Sequence, residues 1–326
     1  FPYGNNEPKD TVFANVDYSK LTTAVNNAFD SKGQKKKRSR AVLVIYKDHI
    51  IAEKYDTGFT KNSKILGWSM TKSITATLFG ILQKQGKYDI NKPAPIPEWQ
   101  KDERKKITTN DLLHMNSGLE WEEAYDKICD ATKMLFIAED MGRVQLEKPA
   151  AFAPNTHWNY SSGTSNLLSY ILRKQFKTHQ EYLDFWYAQL IDRIGMHSML
   201  IETDMVGNYV GSSYGWATAR DWAKFGLLYL HKGNWNGDQV FDPSWENYVS
   251  TPTNDSKEGY GAHFWLNAGG HFPAAPRDMY SCNGYQGQKV FIIPSLDLVI
   301  VRMGLSDEGK YDVNELLAGV IGSFKK

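Results

Sequence analysis

Apolar positions along the chain follow two different periods. Val16, Leu21, Val25 and Phe29 form a rough helical stripe. After a basic loop at 31–40, the apolar runs 41–46 and 50–55 predict two strands. The turn Lys47 to His49 joins them as a hairpin. From Ser69 the period changes. Ile74, Leu78, Ile81 and Leu82 share one face of a helix that stops at Gly86. Thr108, Thr109 and Asn110 can cap a helix running through Leu113, and Ser161 or Ser162 can cap one through Leu172. Residues 218–230 read as a helix ending at Gly233. Strand character returns at 262–266, 289–293 and 296–303, and residues 313–324 predict a closing helix.

Strands therefore lie towards both ends of the chain, with helices between them. The expected class is α+β, an antiparallel sheet with helices against it. The sheet lobe is expected from residues 1–60 plus 241–326, and a mainly helical lobe from 61–240 inserted into it. A cleft between two such lobes is a usual place for a small-molecule site. Residues 5–12 are polar and read as a surface arm. There is no internal repeat and no long linker.

Composition narrows the function classes. With 38 basic and 37 acidic residues among 326, the net charge of +1 gives no global field for nucleic acid. Hydrophobic residues at 41% and charged residues at 23% exclude a chain disordered throughout. Aromatic residues at 13% suit a large core or an aromatic-lined cleft. No apolar run approaches the roughly 18 residues needed to span a bilayer. Two cysteines, Cys129 and Cys282, exclude a disulfide framework and a multi-cysteine metal site. The sequence opens on Phe1 rather than Met, so a trimmed or processed form is expected, without a visible signal peptide.

Ser69-Met70-Thr71-Lys72 places a lysine one helical turn after a serine, on the same face. Ser69 would sit in the first helical turn, where free N–H groups and the dipole favour a developing negative charge. Lys72 can take the serine proton if a dry site lowers its pKa. Ser323-Phe324-Lys325-Lys326 repeats the spacing, but no helix follows it. Gly211-Ser212-Ser213-Tyr214-Gly215 matches the G-x-S-x-G nucleophile elbow. That elbow needs a buried strand before it and a late histidine, and the sequence offers neither. Tyr160-Ser161-Ser162 lies just ahead of a helix. A tyrosine beside Lys72 could serve as base and later as acid if the ammonium lowered its pKa. Cys282-Asn283-Gly284-Tyr285 precedes a strong strand and can offer a backbone N–H to an oxyanion.

Together, Ser69 to Lys72, Tyr160 to Ser162 and Asn283 to Tyr285 resemble the penicillin-recognising serine hydrolases in order and spacing. These include class C β-lactamases, D-alanyl-D-alanine carboxypeptidases and related esterases. Gly284 to Gln288, with Leu112-Leu113-His114-Met115-Asn116-Ser117-Gly118, is most similar to the 6-aminohexanoate-dimer hydrolase branch. The resemblance spans about residues 40–305 and implies a β-lactamase/transpeptidase-like fold. It implies Ser69 as nucleophile, Lys72 and Tyr160 as proton-transfer partners, and the N–H groups of Ser69 and Tyr285 as the oxyanion hole. Substrate contacts are expected at Tyr125, Ser162, Asn283 and Gly284.

Two departures matter. Ser161-Ser162 follows Tyr160 where β-lactamases have Tyr-x-Asn. Cys282 and Asn283 stand where they have the Lys and Thr of Lys-Thr-Gly. The cation that would bind a β-lactam carboxylate is missing there, which favours an esterase or linear-amide hydrolase. A D-alanyl-D-alanine carboxypeptidase, a weak β-lactamase and a non-catalytic penicillin-binding sensor are the alternatives.

Glu120-Trp121-Glu122-Glu123 could favour a substrate with a free ammonium. Lys35 to Arg40 lacks aromatic interleaving and reads as a solvated loop. No Walker loop, H-E-x-x-H or C-x-x-C occurs, and no histidines pair at helical spacing. Neither metal nor cofactor is therefore expected. A small amide, ester or peptide substrate is the expected partner. The compartment expected is periplasmic or secreted, with a cytoplasmic one as the alternative.

Overall fold

The computed structural model describes residues 11–33, 36–307 and 311–325. Residues 5–10 of the expected surface arm, Lys35 of the basic run and Lys326 lie outside the described residues.

Six strands form the main sheet: β1 (Ser39–Tyr46), β2 (His49–Tyr55), β3 (Trp265–Leu266), β4 (Tyr280–Gly284), β5 (Gln288–Ile293) and β6 (Leu298–Gly304). Their spatial order is β2-β1-β6-β5-β4-β3, antiparallel at every pairing. Six helices matter for the site and its support: α1 (Tyr18–Asn27), α2 (Thr71–Lys84), α3 (Thr109–Leu113), α4 (Ser162–Arg173), α5 (Ala219–Leu230) and α6 (Val313–Ile321).

Because side chains alternate across a strand, the central strands supply two cores. Leu43 and Ile45 of β1 join Val290, Ile292, Val299 and Val301 in the core that contains α2 and α5. Val42 and Val44 join Phe291, Ile293 and Ile300 against α1 and α6. Such strands are apolar on both faces and read as continuous runs. A Cβ at Gly226 of α5 would lie 2.8 Å from methyl carbons of both Val290 and Val299. Glycine there lets α5 lie flat on the sheet. The same core continues without a break from β1 through Ile74, Leu78 and Phe79 of α2 to Tyr182 and Trp186.

Several boundaries differ from the sequence expectation. The strand expected at 262–266 shrinks to Trp265–Leu266. His263 has φ +61°, and its ring is bound to Leu113 O at 2.7 Å and to Ser165 Oγ at 2.9 Å. The strand expected from 296 begins at Leu298, after the turn Pro294–Leu296 and a left-handed Asp297. The closing helix ends at Ile321. A small three-stranded sheet of Ile65–Leu66, Gly215–Ala217 and Leu200–Ile201 lies within residues 61–240 and was not anticipated. Both cysteines are free and buried.

Candidate active site

Ser69 lies in the short turn Trp68–Met70 that leads into α2. Trp68 has φ +49°, a conformation that costs a bulky residue of order 1 kcal/mol or more. Its neighbours hold it there. Its ring packs edge-on against Tyr285 at 5.8 Å and Tyr214 at 6.3 Å. Thr71 Oγ1 donates to Trp68 O at 2.8 Å and accepts from Gly215 N at 3.0 Å. Gly67 N donates to Gly215 O at 2.8 Å.

Lys72 follows one turn later and is 1% exposed. Its Nζ lies 3.0 Å from Ser69 Oγ, 2.9 Å from Ser162 Oγ and 2.8 Å from Ser212 O. Burial pushes its ammonium down to about 8, against a smaller opposing pull from Glu123. About a tenth of Lys72 is then neutral at pH 7, some hundreds of times more than for a free lysine.

Tyr160 closes the other side. The 112–118 segment anchors the loop before it, with Ala151 N on Gly118 O at 2.8 Å and Asn159 N on Met115 O at 2.9 Å. Ser161, not Ser162, caps α4 by accepting from Thr164 N at 2.9 Å. That leaves the Ser162 hydroxyl facing Lys72. Lys72 Nζ sits 5.1 Å from the centre of the Tyr160 ring. The expected fall in the Tyr160 pKa is reversed. Burial, reinforced by Glu123, pushes the phenol upward, and its polar contact with Ser69 only partly opposes this. Tyr160 is therefore a neutral phenol at any ordinary pH.

Gly284 brings the end of β4 onto the Ser69 turn. A Cβ there would lie 2.0 Å from Gly67 O, closer than any real contact. Its absence sets Tyr285 beside Trp68 and Ser69. Ser69, Tyr125, Tyr160, Asn283, Gly284 and Tyr285 line one cavity of about 740 Å³.

Glu123 belongs to the acidic run that the sequence offered as a solvated loop or as a contact for a substrate ammonium. The structure turns it inward instead. One oxygen accepts from Ser162 N at 2.8 Å and Trp121 Nε1 at 2.5 Å. The other accepts from Ser162 Oγ at 2.5 Å and from the Tyr125 hydroxyl. Its neighbour Glu122 is exposed and pairs with Lys127. The carboxylate of Glu123 is thus filled by four protein donors.

This combination of a helix-start serine, a buried lysine one turn on and a facing tyrosine coincides with a sequence match to the beta-lactamase family over residues 25–316. The chain belongs to the beta-lactamase family. No curated protein matches the sequence. Among solved structures, a proposed 6-aminohexanoate-dimer hydrolase from Bacillus anthracis superimposes with a TM-score of 0.76 at 19% identity, over 98% of this chain and 86% of that one. A family VIII carboxylesterase gives 0.73 at 15% identity, covering 98% and 100%. A D-stereospecific amidohydrolase from Streptomyces sp. gives 0.70 at 14%, covering 94% and 99%. These likenesses show the β-lactamase-like α+β fold.

Within that family fold, Cys282 is 1% exposed, and burial pushes its thiol up to about 12. It faces the helix-side core and offers no cation. Asn283 accepts from Ser281 Oγ at 2.9 Å and reaches the cavity. The G-x-S-x-G match is a turn. Ser212 and Ser213 are buried and bond to each other at 2.9 Å, and the segment's contribution to the site is the Ser212 carbonyl. Among the described residues no cluster of His, Cys, Asp or Glu is suited to a metal ion, and no helix is long and apolar enough to cross a membrane.

Sequence reasoning missed the inward role of Glu123, the Ser212 carbonyl and Lys289, which also lines the cavity. The last had a readable signal, a lone charge in an apolar strand.

Proposed function

We propose that the chain is a serine hydrolase that cleaves an amide or ester bond through an acyl-enzyme on Ser69. The observation that carries this reading is the buried Lys72 Nζ, 3.0 Å from a half-buried Ser69 Oγ. A neutral lysine amine has two hydrogens and one lone pair. Ser212 O can only accept. The Ser162 hydroxyl has its own proton committed to Glu123, so it too accepts from Lys72. The two hydrogens are thereby used, and the lone pair is left for the Ser69 proton.

Ser69 Oγ then attacks the carbonyl carbon as its proton passes to Lys72. The oxyanion is received by the N–H groups of Ser69 and Tyr285. On collapse the carbonyl–leaving-group bond breaks, and the Tyr160 hydroxyl, replenished from Lys72, protonates the departing amine or alkoxide. Water repeats the cycle on the acyl-enzyme. Asn283 and Gly284 flank the acyl site. Tyr125 presents its oxygen to a substrate N–H, its proton being held by Glu123. The named neighbours include a carboxylesterase and an amidohydrolase, which supports an ester or linear amide as the target.

A panel of a p-nitrophenyl ester, a linear aminohexanoate amide, a D-alanyl-D-alanine peptide and a chromogenic cephalosporin tests this. Turnover of the first two, abolished in Ser69→Ala, with a fluorophosphonate label on Ser69 by mass spectrometry, is the expected result. Preference for either of the last two would replace it by the carboxypeptidase or β-lactamase alternative. A stable penicilloyl adduct without turnover would indicate a sensor. Labelling at Ser213 would overturn the site.

A further inference from the structure

Lys289 is the one charged residue of β5, in the sequence Gln-Lys-Val-Phe-Ile-Ile. It stands opposite Asn283 on β4 and opposite Arg302 on β6. Its side chain lines the cavity that holds Ser69, Tyr160 and Tyr285. Among the described residues it has no hydrogen-bond or ion-pair partner. Arg302 is fully engaged by neutral acceptors, among them Gly287 O at 2.8 Å, Gln286 O at 3.1 Å and Lys37 O at 2.6 Å. Two cations therefore face each other across a strand pair with no carboxylate between them, an arrangement that opposes folding. Burial and the Arg302 charge push the Lys289 ammonium down to about 8.

Among the described residues lining the cavity, Glu258 is the only carboxylate, and both it and Lys257 beside it are exposed. The interior of the cavity is thus positive at Lys289 and apolar at Trp265, Leu266 and Phe272. Lys289 is half-buried, and a cation partly withdrawn from water without a partner is unfavourable in the free protein, a cost that a bound anion relieves.

We propose that Lys289 is an anion-recognition residue of the active-site cavity, and that the substrate carries a carboxylate across a short apolar spacer from the scissile carbonyl. Lys289 is paired with Asn283, two residues before Tyr285. Strand spacings put the Lys289 Cα roughly 8 Å from the Cα of the proposed oxyanion donor, so a spacer of a few bonds is the expected length. The position of the scissile carbonyl rests on the Ser69 reading above, but the anion site itself does not.

Two measurements keep these apart. The first compares the p-nitrophenyl esters of hexanoic acid and of adipic acid, the latter with its far carboxylate free. In the wild type, kcat/KM for the adipate ester should exceed that for the hexanoate ester at least tenfold. The ratio should collapse by about the same factor in Lys289→Met and be largely restored in Lys289→Arg. An unchanged ratio in Lys289→Met overturns the proposal. The second uses calorimetry on Ser69→Ala with hexanamide and adipic acid monoamide. The monoamide should bind at least tenfold tighter, and Lys289→Met in that background should remove the difference. Equal binding of the two amides overturns the anion site even if neither ester is turned over, an outcome that would separately defeat the Ser69 mechanism.

Discussion

Glu123→Gln separates charge from shape at the proposed base. The carboxylate accepts from Ser162 N and Trp121 Nε1 on one oxygen, and from the hydroxyls of Ser162 and Tyr125 on the other. An amide fits in one orientation only. Its NH2 cannot face the peptide and indole N–H groups, so it must face the two hydroxyls, which can turn to accept. Ser162 then loses the acceptor for its own proton. The remaining neighbour is Lys72 Nζ, 2.9 Å away. A Ser162 hydroxyl donating to the lysine lone pair withdraws that lone pair from Ser69. Breaking this hydrogen bond to restore the base costs about 1.5–3 kcal/mol, or roughly 10- to 100-fold in kcat/KM.

The charge acts in the other direction. The 2.9 Å and 2.5 Å legs through Ser162 Oγ limit the separation of Nζ and carboxylate. At roughly 5 Å and an effective dielectric of about 20, the lost attraction is about 3 kcal/mol at most, and about half that with solvent screening. Lys72, now at about 8, should therefore titrate about one to two pH units lower. The assay is the pH profile of kcat/KM for a p-nitrophenyl ester between pH 5 and 10. The expected result is a plateau lowered 10- to 100-fold with its acid limb displaced to lower pH. A plateau within threefold of the wild type, or a limb displaced upward, would falsify the assignment of Glu123 as the residue that aims Lys72.

Other variants test neighbouring steps. Tyr160→Phe should slow amide hydrolysis at least 100-fold and p-nitrophenyl ester hydrolysis much less, because nitrophenolate departs without a proton. Equal losses in stopped-flow acylation rates would remove Tyr160 from the acid role. Gly284→Ala forces a methyl against Gly67 O and should lower kcat by 100-fold or more with little change in KM. A selective rise in KM would count against the oxyanion placement. Lys289→Met should stabilise the protein at pH 7 by about 1–3 kcal/mol in chemical denaturation. The folded pKa of about 8 is below that of the free side chain. The native state therefore sheds the proton first, wild-type stability rises between pH 8 and about 10.5, and the variant's advantage shrinks over that range. A constant advantage from pH 7 to 10 would show that charge burial is not its source.

What the sequence made legible were features carried by local periodicity. The stripe of Ile74, Leu78, Ile81 and Leu82 predicted α2, and the Lys47 turn predicted the β1–β2 hairpin, because each is written within one short stretch of contiguous sequence. The Ser69–Lys72 spacing was readable for the same reason. Glu123 was not. It meets Ser162 across 39 residues of sequence, and Lys72 meets Ser212 across 140. Its acidic neighbours made it look like surface. The Tyr160 pKa went the wrong way because the sequence showed a nearby cation but not the burial that outweighs it. The strand at 262–266 was overdrawn because an apolar pattern carries no warning of a left-handed His263.

The pairing of β1 with β6 joins Leu43 to Val301. On a ribosome moving at about 5–20 residues per second, the β1–β2 hairpin waits for its partner for roughly 10 to 50 seconds. During that wait the run Ala-Val-Leu-Val-Ile-Tyr presents an open, uncharged edge, the kind of segment that pairs with another chain when its own partner is absent. Chains ended before Leu298 should therefore accumulate as aggregates rather than as partly active enzyme. Protecting that hairpin during synthesis is a demand that residues outside the candidate active-site cavity impose.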